Sequence, residues 1–388
     1  MRDTARSVAV ALLLAPLGQA QTTPVAIRGA TLLTGAGETI DSGTIVLEGG
    51  KIMAVGADVL PPEGAAIIEA KGLYATPGLI DAYSHVGFGA SAGPGRSTTW
   101  DRETLMVPSR HIAEALSDTL SNLGASQWLR AGVTTAYVSP GGQNLVGGHG
   151  ALVKLTGKLI RSDAAVSGSF GETTLDAFDT PTTRQGLIAI LRQTLVRAQE
   201  DAIEGEDGRT FAQILTGELP FRLFVNTPDD IMTSLRIGRE FGVDLVLDSA
   251  AGGHLVAEAI AAGNVPVVVG PAIIGIGDGG PYEGFAHTPS NAASLHRAGV
   301  RIALGTGGYG TGRSVAMEAV VAKSHGLPEE AALTAVTSDA AAILGVGDRL
   351  GTLATGMDAD VVLWDVRPIS TWARTKRVIV DGETVFER

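Results

Sequence analysis

The pattern of hydrophobic and polar positions changes twice along the chain. Residues 24–73 alternate apolar and polar positions in short runs separated by glycine-rich turns, which predicts β-strands. The C-terminal segments GTLATGMDADVVLWD and KRVIVDGETVFER have the same alternation. Because the two ends of a domain usually lie close together at its surface, we expect residues 24–73 and 346–388 to form one small composite β-sandwich.

Between these ends, apolar runs typical of buried strands alternate with segments of helical periodicity. This alternation predicts an α/β fold, a parallel (β/α)8 barrel of the TIM type over residues 74–345. One of the eight strands is not identifiable, and we predict a long loop over the barrel mouth at residues 163–183. The predicted strands are Leu79–His85, Thr134–Ser139, Ala151–Leu155, Arg222–Asn226, Asp244–Ala250, Val265–Gly270 and Arg301–Thr306. The predicted helices are Arg184–Ile203, Pro228–Phe241, His254–Ala262, Pro289–Ala298, Ser314–His325 and Pro328–Leu344.

One strand motif carries candidate chemistry. Residues 74–87 read YATPGLIDAYSHVG. This segment resembles the first barrel strand of the amidohydrolase superfamily, which usually reads PG-[LIV]-ID-x-H-x-H. The first histidine position of that motif is occupied by Tyr83, and only His85 remains.

Further segments resemble the imidazolonepropionase-like branch of that superfamily, in the order in which the branch has them. They are AGVTT at 131–135, LVGGHGALVKLTG at 145–157, GLPEEAAL at 326–333, SDAAAILGVGDRLGTLATGMDADVVLWD at 338–365 and VIVDGETVF at 378–386. The resemblance covers residues 26–387. It implies a metallohydrolase barrel with a composite β-domain and makes a homo-oligomer an expectation, but a fold does not fix an activity.

The resemblance also implies where metal ligands belong. Family members hold a divalent ion with the two histidines of strand one, one histidine on each of strands five and six, and an aspartate on strand eight. Some add a bridging carboxylated lysine on strand four, which we do not place in this chain. Three or more nitrogen and oxygen ligands with an open position lower the pKa of a bound water to about 7.

Most of these ligand positions hold other residue types here. The strand-five segment PFRLFVNTPDDI puts Phe224 at the histidine position and Asn226 at the next inward position. The strand-six segment LVLDSAAGGHLVA puts Ser249 at the second histidine position, and the strand-eight segment IALGTGGYG puts Gly307 at the aspartate. Phenylalanine and glycine offer no side-chain ligand, and hydroxyls compete poorly for zinc. We therefore expect a pseudoenzyme-like barrel with no metal cofactor; the alternative is an alignment shift of two or more residues in some strands.

Three functions follow from this pattern. The first is a non-catalytic, amidohydrolase-like protein that binds a small molecule or partners an active paralogue. The second is an active hydrolase of amide, cyclic amide or peptide-like C–N bonds, with zinc or another divalent metal in a non-standard site. That site would combine His85 with His149, His254 or Asp248. The third is a metal-free enzyme that uses Tyr83 or Asp248 as acid or base.

Other candidates have a simpler structural interpretation. His149 in the GGHG turn and His254 after a glycine pair fit packing or surface roles better than a site at the barrel mouth. The segment 277–284, GDGGPYEG, is predicted to be a mobile loop. Such a loop either covers a ligand or is an ordinary surface loop. Three lone aromatic residues are candidates to stack on a ligand, but such residues as often only pack against neighbouring side chains. They are Trp100, Tyr282 and Tyr309.

The N-terminus predicts a secretory signal peptide over residues 1–20. Arg2 and Arg6 form a basic region, Val8–Leu17 an apolar core too short to span a bilayer, and residues 18–20 a small-x-small cleavage site. No later apolar stretch is long enough to cross a membrane. We therefore expect export, to the periplasm or the exterior.

Composition narrows the classes of function. The chain of 388 residues with 45% hydrophobic residues is large enough for a barrel and a companion sheet. The absence of cysteine excludes thiolate metal sites, iron–sulfur clusters ligated by cysteine, and cysteine nucleophiles. A net charge of −12 with scattered basic residues argues against nucleic acid and anionic membranes as partners.

Overall fold

The computed structural model describes residues 23–88, 101, 103–116, 123–272, 287–307 and 315–388. The predicted signal peptide and the segment 277–284 lie outside the described residues, as do Trp100, Tyr282 and Tyr309. Two eight-stranded sheets organise the described part of the chain. Within it, no helix combines the length and the apolar composition that crossing a bilayer requires.

Both ends of the chain contribute to the first sheet, which confirms the composite β-domain as part of the fold. Its order is β16-β15-β14-β5-β1-β2-β3, with β4 paired to β1, where the strands are β1 Val25–Leu33, β2 Thr39–Glu48, β3 Lys51–Gly56, β4 Ala66–Glu69, β5 Tyr74–Pro77, β14 Val361–Trp364, β15 Thr375–Val380 and β16 Glu383–Glu387. Antiparallel pairing of β5 with β14 joins the two ends. The β2–β3 hairpin turns at Gly49 and Gly50, whose φ angles of 58° and 76° fit the type I′ turn that a two-residue loop favours.

The second sheet is a nearly closed barrel. Its order is β13-β12-β11-β10-β9-β8-β7-β6, where the strands are β6 Leu79–Ser84, β7 Val133–Val138, β8 Gly148–Lys154, β9 Leu159–Ser169, β10 Phe221–Val225, β11 Leu245–Ser249, β12 Val267–Val269 and β13 Ile302–Leu304. The first and last strands of this sheet, β6 and β13, meet at what we call the seam. There, Thr306 donates to the carboxylate of Asp81 through its backbone N–H at 3.0 Å and its hydroxyl at 2.7 Å.

Two features of this barrel differ from the sequence-based expectation. Strand β8 runs antiparallel to both β7 and β9, so the barrel is not parallel throughout. Residues 139–147 and 155–158 are the links on either side of β8, and both are too short for the crossover helix that parallel neighbours need. The prediction of a long loop at 163–183 was also wrong. That region continues β9 and then forms the helix Glu172–Ala177, and β9 is the strand that the sequence pattern did not reveal.

Helices pack around the barrel sheet. They are α1 Leu123–Arg130, α2 Glu172–Ala177, α3 Arg184–Gln199, α4 Gly205–Thr216, α5 Pro228–Phe241, α6 Ala257–Ala262, α7 Asn291–Arg297, α8 Val315–Ser324, α9 Glu329–Thr334 and α10 Ser338–Ile343, with short 3-10 turns at Ile112–Ala115 and Gly253–Leu255. The predicted helix Pro328–Leu344 is therefore two helices, and the predicted helix His254–Ala262 begins as a 3-10 turn. Thr227 caps α5 by accepting the N–H of Asp230 at 3.2 Å, as expected of a threonine before Pro228.

A buried lysine connects the two sheets. Lys154, at the end of β8, has no exposed surface. Its ammonium lies 3.0 Å from a carboxylate oxygen of Asp358 and 3.0 Å from one of Asp360, and it also pairs with Asp381. These three aspartates flank β14 and β15 of the first sheet. The charge of the barrel lysine is thus satisfied by the composite domain, which ties the two parts of the fold together.

Candidate functional site

The six residues that the sequence placed at metal-ligand or adjacent positions lie near one rim of the barrel, which we call the barrel mouth. This rim is formed where β6, β10, β11 and β13 reach their C-terminal ends. In barrels of this type, the C-terminal ends of the strands carry the functional side chains. The six are Tyr83, His85, Phe224, Asn226, Ser249 and Gly307.

An aromatic group lies at the centre of the mouth. The ring of Tyr83 stacks on Phe224 with centroids 5.9 Å apart, and lies 5.8 Å from the imidazole of His85. Burial, together with the nearby carboxylate of Asp248, raises the pKa of Tyr83 above its ordinary value. The Tyr83 hydroxyl therefore stays protonated at neutral pH.

Polar groups of the mouth come from the ends of β10 and β11. The hydroxyl of Ser249 donates to the side-chain oxygen of Asn226 at 2.7 Å. Ser249 and Ala250 have φ angles of 67° and 44°, so the chain turns sharply away from the barrel at this point. The side-chain amide of Asn291 stabilises this turn by donating to the carbonyl of Ala250 at 2.8 Å.

Gly307 closes the mouth through its backbone. Its N–H donates to the carbonyl of Tyr83 at 3.1 Å. Its φ angle is 69°, and a Cβ atom at this position would overlap the ring of Pro271. The space in which a side chain at position 307 would begin is therefore already filled.

Directly below the mouth, the barrel interior contains a buried ion pair that the sequence analysis missed. Arg222 on β10 donates to both carboxylate oxygens of Asp248 on β11, at 3.0 and 2.5 Å, and to the carbonyl of Ala82 on β6 at 2.8 Å. Its guanidinium carbon also lies 4.0 Å from the ring centroid of Tyr137. A charged residue within the apolar strand FRLFV was the available signal, because an arginine there needs a buried partner.

The interior has a second buried acid. Asp81 accepts hydrogen bonds from Thr306 and from the backbone N–H of Tyr83. Burial raises the pKa of Asp81 to about 7, although its hydrogen bonds with Thr306 oppose that shift. Its position at the β6–β13 seam indicates a structural role in closing the barrel.

The residues at the mouth do not fit a divalent metal of the kind that the resemblance implies. Phe224 and Gly307 offer no side-chain donor, and the hydroxyl of Tyr83 is held protonated. The Ser249 hydroxyl is already engaged with Asn226. Among the described residues, the only group of three histidine or acidic side chains close enough to hold an ion is His111, His149 and Asp163, which includes none of the mouth residues.

The other histidine candidates lie elsewhere. His149 is not in a turn, as its GGHG context indicated, but is the second residue of β8; it is buried and its Nε2 lies 2.9 Å from the hydroxyl of Thr210 on α4. Burial, together with the neighbouring His111, lowers the pKa of His149 below its ordinary value. His254 lies in a 3-10 turn, where its backbone N–H donates to the side chain of Asn291 at 2.8 Å.

Sequence comparison finds relatives along most of the chain. The profile of the Amidohydrolase family matches residues 286–385. An imidazolonepropionase of Methylobacterium nodulans is 26% identical over 369 residues, which cover 84% of this chain and 88% of that protein. The amidohydrolase tasK of Hapsidospora irregularis is 26% identical over 375 residues, but this chain spans only 38% of its length.

Comparison with solved structures also finds a similar amidohydrolase. The crystal structure of an amidohydrolase from Thermotoga maritima MSB8 superimposes with a TM-score of 0.87 and 26% sequence identity. The match covers 94% of this chain and 100% of that one. The similarity therefore includes both the barrel sheet and the sheet built from the two chain ends.

Proposed function

Because this chain belongs to the amidohydrolase superfamily, in its imidazolonepropionase-like branch, we propose that its barrel mouth keeps the family's binding position but no longer carries out metal-dependent hydrolysis. The protein would then act as an exported small-molecule-binding protein. The relatives named above are enzymes, so the proposal is that catalysis was lost within an otherwise retained fold.

One observation carries this proposal. At position 307, where the resemblance implies an aspartate ligand, the residue is glycine with a φ of 69°, and the space for a Cβ atom is occupied by Pro271. A ligand side chain there would require Pro271, which follows β12, or the backbone at position 307 to move. Phe224 stacked on Tyr83 adds to the argument, since it fills another ligand position with packed apolar surface.

The side chains of the mouth indicate the chemistry of a ligand. The mouth combines the stacked aromatic rings of Tyr83 and Phe224 with the polar side chains of His85, Asn226 and Ser249. Apolar surface with a few fixed polar groups is the usual composition of a small-molecule site. The Arg222–Asp248 pair below carries no net charge, which favours a neutral or weakly polar ligand such as a planar amide.

Kinetics and calorimetry on the mature protein test this proposal. The probes are a cyclic amide (4-imidazolone-5-propionate), an N-acyl amino acid and an Xaa-Pro dipeptide, each with and without added Zn²⁺ or Mn²⁺. We expect no turnover with either metal, and saturable binding of at least one probe that His85→Ala weakens. His296→Ala, at an exposed histidine on α7, is the matched control and should bind as the wild type does.

Two outcomes would contradict the proposal. Metal-dependent turnover that His85→Ala abolishes would establish the alternative, an active hydrolase of C–N bonds with a non-standard metal site. A lack of saturable binding by all three probes would remove the small-molecule function and favour a role as partner of an active paralogue.

Export and assembly are further parts of the proposal. The basic, apolar and small-residue regions of 1–20 support cleavage after Ala20 and release into the periplasm or the exterior. N-terminal sequencing of the protein from a periplasmic or culture fraction should give a chain that starts at Gln21. Homo-oligomerisation is proposed from the family alone, and the mass in solution measures it directly.

A further inference from the structure

A cluster of two histidines and one aspartate lies on the outer face of the barrel; we call it the outer histidine cluster. His149 comes from β8, Asp163 from β9, and His111 from the residue before the 3-10 turn Ile112–Ala115. The Nδ1 atoms of His111 and His149 lie 2.5 and 3.2 Å from the same carboxylate oxygen of Asp163. The two imidazole rings stack with centroids 4.1 Å apart.

The outer histidine cluster is separate from the barrel mouth. Side chains of consecutive strand residues point to opposite faces of a sheet. A Cβ atom at the neighbouring Gly150 would overlap Tyr137, whose ring stacks on the interior Arg222, so Gly150 faces the barrel interior. His149 therefore faces outwards, towards Thr210 on α4.

One atom of the cluster has an incomplete environment. The side chain of His149 is only 3% exposed, and its Nδ1 is buried without a hydrogen-bond partner of acceptable geometry. If Nε2 donates to Thr210, Nδ1 carries a lone pair that faces the lone pairs of the Asp163 carboxylate. A cation placed between the two removes this repulsion.

The backbone holds these groups together without help from a ligand. The N–H of His149 donates to the carbonyl of Arg110 at 2.7 Å, and residues 111 and 149 form a parallel bridge. Position 148 must be glycine for this approach, since it has a φ of 104° and a Cβ atom there would overlap the Arg110 carbonyl. A third ligand comes from β9, the hairpin partner of β8. The donors are therefore brought together by the fold itself.

We propose that His111, His149 and Asp163 form a binding site for one divalent transition-metal ion of the zinc class, on the outer face of the barrel and distinct from the mouth. Two imidazoles and one carboxylate that converge with at least one open position are a recurring ligand set for such ions. Ligand distances of about 2.0–2.2 Å to zinc place the donor atoms roughly 3–3.5 Å apart, and the three donors here lie within 4.8 Å of one another.

Solvent access to the cluster and the contact of Thr210 with His149 both agree with this assignment. The side chains of His111 and Asp163 are 31% and 41% exposed, which leaves a path for an ion to enter. The hydroxyl of Thr210 lies 2.9 Å from Nε2 of His149 and so fixes the orientation of the ring whose Nδ1 would bind the ion.

Metal titration of the full mature chain tests the site. After removal of metals with a chelator, the protein is dialysed against Zn²⁺, and Co²⁺ is used as a probe with visible absorption. We expect one ion per chain in the wild type and no bound ion in His111→Ala, at a partly exposed position. Thr210→Val should keep the site but weaken the affinity by about 10–100-fold.

Controls separate this site from the mouth and from general loss of structure. His85→Ala should bind the ion as the wild type does, and so should His296→Ala at an exposed histidine. Circular dichroism of each variant in chelator shows whether the fold is intact. Absence of a bound ion in the wild type, or an ion that His111→Ala retains, would overturn the proposal. If His111→Ala keeps the ion and His85→Ala loses it, the metal binds at the mouth, and that result would contradict the proposed function.

Discussion

At the scale of single residues, Gly307 shows how a backbone position excludes a side chain. Its φ of 69° by itself disfavours any other residue, and Pro271 fills the space where a Cβ atom would lie. Gly299 is a matched comparison, because its φ is 83° and nothing lies within 4 Å of the corresponding Cβ position.

We expect Gly307→Ala to destabilise the protein more than Gly299→Ala does. Both variants should lose about 1–2 kcal/mol from the left-handed backbone. The overlap with Pro271 should add about 1–3 kcal/mol at position 307 only. Urea unfolding of the two variants measures the difference. Equal losses would mean that Pro271 moves freely, and the mouth would then have room for a ligand side chain.

Asp81 should make the stability of the protein depend on pH. Its pKa is 3.8 as a reference value for the unfolded chain and about 7 when buried in the fold. The contribution of the Asp81 carboxyl to folding stability is therefore fully present below pH 4, where the group is protonated in both the folded and the unfolded state. This contribution is lost as the pH rises through about 7. Within that window the loss is on the order of 1.4 kcal/mol per pH unit.

Asp81→Asn tests this dependence, because the amide imitates the protonated acid at every pH. We expect the free energy of unfolding of the wild type to fall relative to Asp81→Asn between pH 4 and pH 7. Asp41→Asn, at an exposed aspartate on β2, is the control and should follow the wild type. Parallel curves for wild type and Asp81→Asn would show that Asp81 ionises normally in the fold.

At the scale of elements, the Arg222–Asp248 pair connects strands across the barrel. β10 supplies the guanidinium and β11 the carboxylate, while the carbonyl of Ala82 on β6 accepts a further hydrogen bond. Arg222 is 2% exposed and Asp248 is 1% exposed, so neither charge is solvated. Removal of one partner leaves the other charge buried and alone, which is far more costly than removal of both.

We therefore expect Arg222→Met to lose about 3–5 kcal/mol of stability, and the double variant Arg222→Met/Asp248→Leu to recover most of it. Arg209→Gln, in an exposed pair with Glu206 on α4, should change stability by less than about 1 kcal/mol. Denaturant unfolding gives all three values. A double variant as unstable as Arg222→Met would show that the hydrogen bond to Ala82, rather than the charge pair, stabilises the strands.

At the scale of the whole molecule, Lys154 couples the barrel to the composite β-sheet. Its ammonium is fully buried among Asp358, Asp360 and Asp381, all of which flank strands of the other sheet. The connection is made by charge: the buried Lys154 depends on these aspartates, although Asp358 also pairs with Lys51 and Arg349.

Lys154→Met should destabilise the protein by about 3–5 kcal/mol at neutral pH, because it leaves three carboxylates near one another without their buried cation. Lys158→Met is the matched control, since Lys158 pairs with the same Asp381 from a side chain that is 55% exposed. We expect that control to lose less than about 1 kcal/mol. Similar losses in both variants would place the stabilisation at the surface and not between the sheets.

The sequence by itself determined the architecture of this protein. Strand periodicity at both ends, strand–helix alternation between them and the motif around Tyr83 and His85 predicted the composite sheet and the barrel, because periodicity directly encodes which face of each element is buried. Helix α5 was predicted with its observed bounds, since Thr227, Pro228 and Gly242 mark its ends locally. That Phe224 and Gly307 stand at the ligand positions implied by the resemblance stays a prediction from the sequence.

Only the tertiary structure decided which distant residues meet. The antiparallel course of β8 followed from links too short for a crossover, and β9 was obscured by polar residues of the hairpin. The contacts of Arg222 with Asp248, of Lys154 with its aspartates, and of His149 with His111 and Asp163 each join different strands or loops. No local pattern specifies them, because they depend on the register and curvature of the closed sheet.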